Sequence, residues 1–198
     1  LTKKEARGAC GLAAGKKTIL LVGGSLGART INESVLRHLD DIRAAEGVQF
    51  LWQTGRYYSA EIAQRLGEKK PQNLVVTDFI GDMGAAYQAA DLVVSRAGAS
   101  SISEFCLLGT PVILVPSPNV AEDHQTKNAL ALANRDAALY VKDADAPATL
   151  LQLAVATVND DARLRTLSTN VLKLALPDSA DIIAKEVLKL ANRKYVNR

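Results

Sequence analysis

Histidine and cysteine are scarce in this chain, and their scarcity removes several kinds of metal and thiol chemistry at once. Its 198 residues include two histidines, His38 and His124, and two cysteines, Cys10 and Cys106. The cysteines are far apart, lack metal-ligand spacing and lie in apolar patterns, so they read as free thiols of a reducing compartment. Cys106 has no base near it in sequence, and Ser25, although Gly23-Gly24-Ser25-Leu26-Gly27 fits the string G-x-S-x-G, is read as a ligand contact and not as a nucleophile. His38 falls in a helical pattern as a surface or internally satisfied residue. No apolar run approaches the ~18 residues of a membrane span, and no signal-peptide pattern opens the chain. Blocks of one charge are missing too. The 24 basic and 21 acidic residues give a net charge of +3 and are scattered, apart from the short pairs Lys16-Lys17, Lys69-Lys70 and Arg193-Lys194. That pattern describes a solvated surface and excludes a nucleic-acid stripe.

What is present is an ordinary globular composition, 48% hydrophobic and 23% charged, with no repeat, linker or low-complexity tract. The expectation is a single domain over residues 1–198. The chain starts on Leu1 within a helical pattern (Thr2 to Leu12), as an excised piece of a longer protein would.

Short apolar runs recur along the chain: Lys17 to Val22, Val48 to Trp52, Leu74 to Val76, Leu92 to Val94, Pro111 to Val115 and Ala138 to Val141. The first reads as a strand buried on both faces, and the others as strands that are nearly all apolar. Helical spacing fills the intervals, at Ile31 to Leu39, around Ile62 and Leu66, at Met83 to Ala90 and at Ala121 to Ala133. Three further helical patterns follow, Ala148 to Val158, Ala162 to Leu174 and Ser179 to Ala191. Strands alternating with helices predict an α/β, Rossmann-like parallel sheet with helices on both faces. Ligands of such sheets bind beyond the carboxyl ends of the strands, which points to Gly23 to Ala28, Phe79 to Asp82, Ser95 to Glu104 and Pro116 to Asn128.

The first of these, Gly23-Gly24-Ser25-Leu26-Gly27-Ala28, follows a strand and opens a helix. Ser25 replaces the second glycine of a dinucleotide fingerprint, and the second strand ends in Gln53-Thr54-Gly55 with no acidic residue for an adenosine ribose, so NAD binding is disfavoured. Backbone freedom, a hydroxyl and a helix N-terminus suit a diphosphate or sugar; a packing turn would use the same glycines. In the third segment Arg96 and Gly98 lead into Ala99, Ser100 and Ser101 and then Glu104. A helix starting near Ala99 presents unpaired N–H groups to a phosphate and a carboxylate to the vicinal hydroxyls of a ribose. Ser101-x-x-Glu104 is equally a capping box needing no ligand. His124 and Gln125, in a polar stretch after the fifth strand, fit sugar hydroxyls or a plain polar helix start.

The motifs Gly-Gly-Ser-x-Gly-Ala, Phe-Ile-x-Asp-Met, Ser-Arg-Ala-Gly-Ala-x-Ser-x-Ser-Glu, Gly-x-Pro-x-Ile-Leu-Val-Pro and His-Gln-x-x-Asn-Ala, spread in order over nearly the whole chain, together resemble the C-terminal half of the MurG family. That family comprises the peptidoglycan N-acetylglucosaminyltransferases, which move GlcNAc from UDP-GlcNAc to undecaprenyl-diphosphoryl-MurNAc-pentapeptide. The resemblance implies one half of a GT-B fold and a hexosyltransferase that needs no metal and no cofactor besides its UDP-GlcNAc substrate. It also implies an absent N-terminal acceptor domain carrying the catalytic base, a lipid-linked acceptor, and a cytoplasmic location on the inner membrane face. By resemblance Gly24, Ser25, Leu26 and Gly27 face the donor phosphates or sugar, and Ile80 offers its backbone to uracil. Arg96 lies near the diphosphate or supports its loop, with leaving-group stabilisation as a possible role. Ala99, Ser100 and Ser101 sit under the phosphates, Glu104 takes the ribose hydroxyls, Gln125 the GlcNAc hydroxyls with His124 beside it, and Asn32 matches a position of vaguer role. The alternatives are a naturally separate donor-binding subunit of the dolichol type, a nucleotide-sensing module without catalysis, and a UDP-sugar epimerase of the same fold.

Overall fold

The computed structural model describes the backbone of residues 1–196 and the side chains of residues 1–191. Six parallel strands, β1 (Lys17–Val22), β2 (Val48–Gln53), β3 (Leu74–Thr77), β4 (Leu92–Ser95), β5 (Val112–Leu114) and β6 (Leu139–Tyr140), form one sheet in the order β3-β2-β1-β4-β5-β6. The order reverses at β1, whose neighbours are β2 and β4. A crevice beyond the carboxyl ends of those strands follows from that reversal, because the chain leaves β1 and β4 toward opposite sides of the sheet.

Alternation along each strand divides the core between the two faces. Ile19 and Leu21 of β1, Phe50 and Trp52 of β2, and Leu92 and Val94 of β4 point to one side. There they pack with Ile31 and Val35 of α2 (Arg29–Arg37) and with Leu150, Ala154 and Val158 of α8 (Ala146–Asn159). Leu20, Val22, Leu51 and Val93 point to the other side. They meet Ala6 of α1 (Lys3–Ala9), Ala86 and Tyr87 of α5 (Met83–Ala89), Phe105 of α6 (Ala99–Leu108) and Ala129 of α7 (His124–Ala133). Each fully buried side chain of this size stabilises the fold by about 1.5–3 kcal/mol relative to exposure. Helices α3 (Leu39–Ala44), α4 (Ser59–Leu66), α9 (Asp161–Leu172) and α10 (Ser179–Val196) complete the chain.

Two helical expectations are corrected. The pattern from Ile31 to Leu39 is broken at His38, where φ −119° and ψ 32° end α2 and start α3. The helix expected from Ala121 to Ala133 begins only at His124. Glu122 and Asp123 take φ 54° and 52°, left-handed values that interrupt the i to i−4 ladder and leave Ala121–Asp123 as a single tight turn.

Candidate functional site

One row of paired residues marks the carboxyl edge of the sheet. Thr77, Gln53, Val22, Ser95, Leu114 and Tyr140 stand side by side across β3, β2, β1, β4, β5 and β6. Directly beyond this row lies an open cavity of about 780 Å³, with walls drawn from all four segments expected to carry chemistry.

The loop after β1 forms one wall, with Gly24, Ser25, Leu26 and Gly27 on the surface of the cavity. The loop after β2 props it from behind. A Cβ on Gly27 would fall 2.2 Å from the Thr54 carbonyl oxygen, and a Cβ on Gly55 would fall 2.2 Å from the Gly27 nitrogen. Both residues hold positive φ, 85° and 82°, so each is glycine for its conformation and for the closeness of the two backbones.

The opposite wall is the start of α6. Gly98 is the N-cap and makes no side-chain cap bond, so Ala99, Ser100 and Ser101 supply free first-turn N–H groups; Ile102 is the first to bond back, to Gly98 at 3.0 Å. Ser101 is therefore the third residue of the helix and cannot be the N-cap that a capping box requires. The capping alternative for Ser101 and Glu104 is excluded by this register. Instead the Glu104 carboxylate lies on the cavity wall and accepts the Tyr87 hydroxyl at 2.9 Å. Burial, then the hydrogen bond to Glu104, pushes the Tyr87 phenol well above its ordinary value, which keeps it a donor.

Arg96 crosses the floor. Its guanidinium donates to the carbonyls of Val115 at 3.0 Å and Pro116 at 3.1 Å and pairs with Asp143, whose other oxygen accepts the Thr30 hydroxyl at 2.9 Å. The group thereby ties the ends of β4 and β5, the start of α2 and the approach to α8 into one buckle. The positive charge is spent largely on Asp143, so Arg96 acts here as a loop support. Gln125 works similarly: its Oε1 accepts the backbone N–H groups of Ala97 at 3.2 Å and Ser117 at 2.9 Å, leaving its amide NH₂ for the cavity. Ile80 and its neighbour Phe79 close the side above β3, where Arg56 stacks over the Phe79 ring at 4.6 Å.

Four expected positions do not line the cavity: Ala99 and Ser100, exposed on the first turn of α6 between the lining residues Gly98 and Ser101, and Asn32 and His124. Asn32 is 3% exposed and off the cavity wall; its amide donates to the Thr54 carbonyl at 2.9 Å and accepts the Trp52 indole N–H at 3.0 Å, so both ends are consumed in holding α2 against β2. His124 is exposed on the first turn of α7, its ring bonded to the Ala121 carbonyl at 2.8 Å, and it too is off the wall. Conversely, Asp143, Tyr87 and Gln53 line the cavity without having been singled out from the sequence. Gln53 Oε1 is buried and accepts no hydrogen bond, a state that costs about 1–3 kcal/mol and persists where a ligand or water supplies the donor. Among the described residues no cluster of three His, Cys, Asp or Glu side chains forms a metal-ligand set.

A doubly wound sheet with the uncapped start of α6, the Glu104 carboxylate and a glycine-built loop around one cavity is the architecture of the Rossmann-like C-terminal half of a GT-B glycosyltransferase. The comparisons agree. Residues 18–183 match the model of the glycosyltransferase family 28 C-terminal domain, and the chain belongs to that family. It is 60% identical over 194 residues to the UDP-N-acetylglucosamine--N-acetylmuramyl-(pentapeptide) pyrophosphoryl-undecaprenol N-acetylglucosamine transferase of Phocaeicola vulgatus, covering 98% of this chain and 51% of that protein. The same-named protein of Bacteroides thetaiotaomicron is 63% identical over 178 residues, covering 89% and 48%. The crystal structure of Acinetobacter baumannii MurG superposes with a TM-score of 0.76 at 30% identity, over 96% of this chain and 53% of that one. The chain thus spans about half the length of the relatives it matches.

Proposed function

We propose that this chain is the donor-binding half of an inverting N-acetylglucosaminyltransferase that moves GlcNAc from UDP-GlcNAc onto a lipid-linked MurNAc-pentapeptide in peptidoglycan synthesis. The observation that carries the reading is 60% identity, over almost the whole chain, to a protein whose name states that reaction. In this reading Glu104 accepts the ribose hydroxyls, the backbone at Ile80 meets uracil, and the first-turn N–H groups of Ala99, Ser100 and Ser101 receive the diphosphate. Gly24, Ser25, Leu26 and Gly27 border the phosphates and sugar from the other wall, and the free amide NH₂ of Gln125 reaches a GlcNAc hydroxyl.

The chemistry follows from charge. As the bond from the sugar to the diphosphate breaks, negative charge grows on the leaving UDP, and a helix N-terminus with unpaired N–H groups stabilises it without having to reorganise. Arg96 contributes by fixing the floor of the cavity through Asp143. The base that deprotonates the acceptor hydroxyl belongs to the acceptor half of the full-length protein, which works as a peripheral enzyme on the cytoplasmic membrane face. The residues described here hold the donor and accept the departing charge.

Calorimetric titration with UDP, UDP-GlcNAc, UDP-glucose and ADP tests the reading. The uridine ligands bind and ADP does not compete; equal affinity for ADP and UDP would remove uridine recognition and leave a general nucleotide-sensing module. With lipid acceptor and UDP-GlcNAc the isolated chain forms no product, and turnover at the rate of a full-length enzyme would overturn the division of labour.

A further inference from the structure

Glu104 sits on the exposed face of α6, and a glutamate in that position ordinarily samples several rotamers. Here one carboxylate oxygen is held from a different element. Tyr87, 17 residues earlier on α5, is 7% exposed, stacks edge-to-face on Phe105 with ring centroids 5.5 Å apart, and donates its hydroxyl to Glu104 Oε2 at 2.9 Å. Phe105 is fully buried and directly follows Glu104 in α6, so the ring that aims the hydroxyl is braced by the residue next to the group it holds. Both Tyr87 and Glu104 line the cavity.

We propose that Tyr87 is a positioning residue that fixes the Glu104 carboxylate for a ribose 2′,3′-diol. The inference rests on the donor-binding reading given above. The mechanics are those of preorganisation. With Oε2 anchored by the phenol, Oε1 and the remaining lone pair of Oε2 are left for the ligand, which need not freeze the side chain on arrival. The buried phenol stays protonated, so the anchor is a donor under all ordinary conditions.

The experiment measures UDP and 2′-deoxy-UDP affinities, by calorimetry, for the wild-type chain, Tyr87→Phe, Glu104→Ala and the double variant. Tyr87→Phe keeps the ring against Phe105 and removes only the anchor. Its expected effect is a loss of about two- to tenfold in UDP affinity, the gain from one immobilised side chain, with a smaller loss for the deoxy ligand. The ratio of the two affinities therefore falls, and because both are taken on one protein the ratio is independent of how much of it is folded. In the Glu104→Ala background Tyr87→Phe has no further effect. If Tyr87→Phe keeps the full wild-type ratio while Glu104→Ala abolishes it, the positioning role is wrong and the ribose reading stands. If the ratio survives Glu104→Ala, or the wild type shows no preference at all, the ribose reading itself fails.

Discussion

The two ends of this sheet handle their polar groups in opposite ways. At the amino end Asp91 takes the Arg7 guanidinium at 2.6 Å, the Lys3 ammonium at 2.5 Å and the backbone N–H of Thr18 at 2.7 Å. Gln49, 4% exposed, exchanges hydrogen bonds with both backbone groups of Ala13 and takes a place beside the Thr18 hydroxyl. Lys17 reaches across to Asp161 and the Val158 carbonyl. Donors and acceptors there consume one another. At the carboxyl end Glu104 is exposed, Ser25 stands at the cavity rim, the first turn of α6 keeps its N–H groups, and Gln53 Oε1 is buried without a donor. The strands are the same at both ends, so the contrast lies in the loops. One set closes the fold, and the other, beside the Arg96–Asp143 pair, leaves several hydrogen-bonding groups open at the cavity.

If that division holds, the largest stability loss comes from the end with no ligand. Asp91→Ala strands the Arg7 guanidinium, whose side chain is 10% exposed, and is expected to cost about 2–4 kcal/mol in urea unfolding, since breaking a nearly buried pair leaves a charge without a partner. UDP affinity stays within about twofold, on the argument that remote sites act independently. A loss of affinity matching the loss of stability would show that the two ends are not separable.

Gly55→Ala probes the carboxyl end at the contact between its two loops. Positive φ and a Cβ 2.2 Å from the Gly27 nitrogen force one loop away from the other, at a cost of about 1–3 kcal/mol. Here, unlike at Asp91, UDP-GlcNAc affinity is expected to fall together with stability, because Gly24 to Gly27 move. Retained affinity would mean that the loop after β1 keeps its shape without this support.

The smallest effect calibrates the other two on a surface pair belonging to neither end. Arg65 donates to Glu33 at 2.5 Å, and the hydrogen bond to that guanidinium lowers the Glu33 carboxyl below its ordinary value of 4.5. A carboxylate with a depressed folded pKa contributes stability above its unfolded pKa and loses it as the pH falls through the folded one. The contribution of a solvent-exposed pair is about 0.5 kcal/mol. Glu33→Gln should therefore lower the urea midpoint slightly at pH 7, with the difference shrinking as the pH is lowered through the folded pKa, and a difference that stays constant down the acid range would assign the effect to packing.

What the sequence carried and what it did not can be separated by distance along the chain. The apolar runs of β1, β2, β4 and β5 mark strands because a doubly covered strand must be apolar on both faces, whereas the edge strands β3 and β6 are apolar but only partly buried; Gly23 to Ala28 and Arg96 to Glu104 stand out because they sit directly after inner strands. The choice between cap and cavity for Glu104 turned on where α6 begins, a matter of three residues that only the backbone decides. Asp143 and Tyr87 were out of reach for another reason. Asp143 lies 47 residues from Arg96, and Tyr87 lies on a helix whose pattern looks like ordinary core. Asn32 drew notice only for matching a family position, and its amide is used between Thr54 and Trp52, away from the cavity wall. The left-handed turn at Glu122 and Asp123 has no glycine to announce it.

The position of β1 has a consequence for how the chain assembles. Its two edges are filled by β2 and by β4, and β4 ends only at Ser95. During synthesis β1 can meet β2 about 30 residues after it emerges, but its other edge, carrying Ile19, Leu20 and Leu21, stays unpaired until some 70 residues of further chain have been made. An apolar strand with one open edge is a template for pairing with other molecules, and parallel pairings over such separations form slowly. The central strand that creates the crevice at the switch point is thus also a segment that offers an unpaired apolar edge while the chain is still being made.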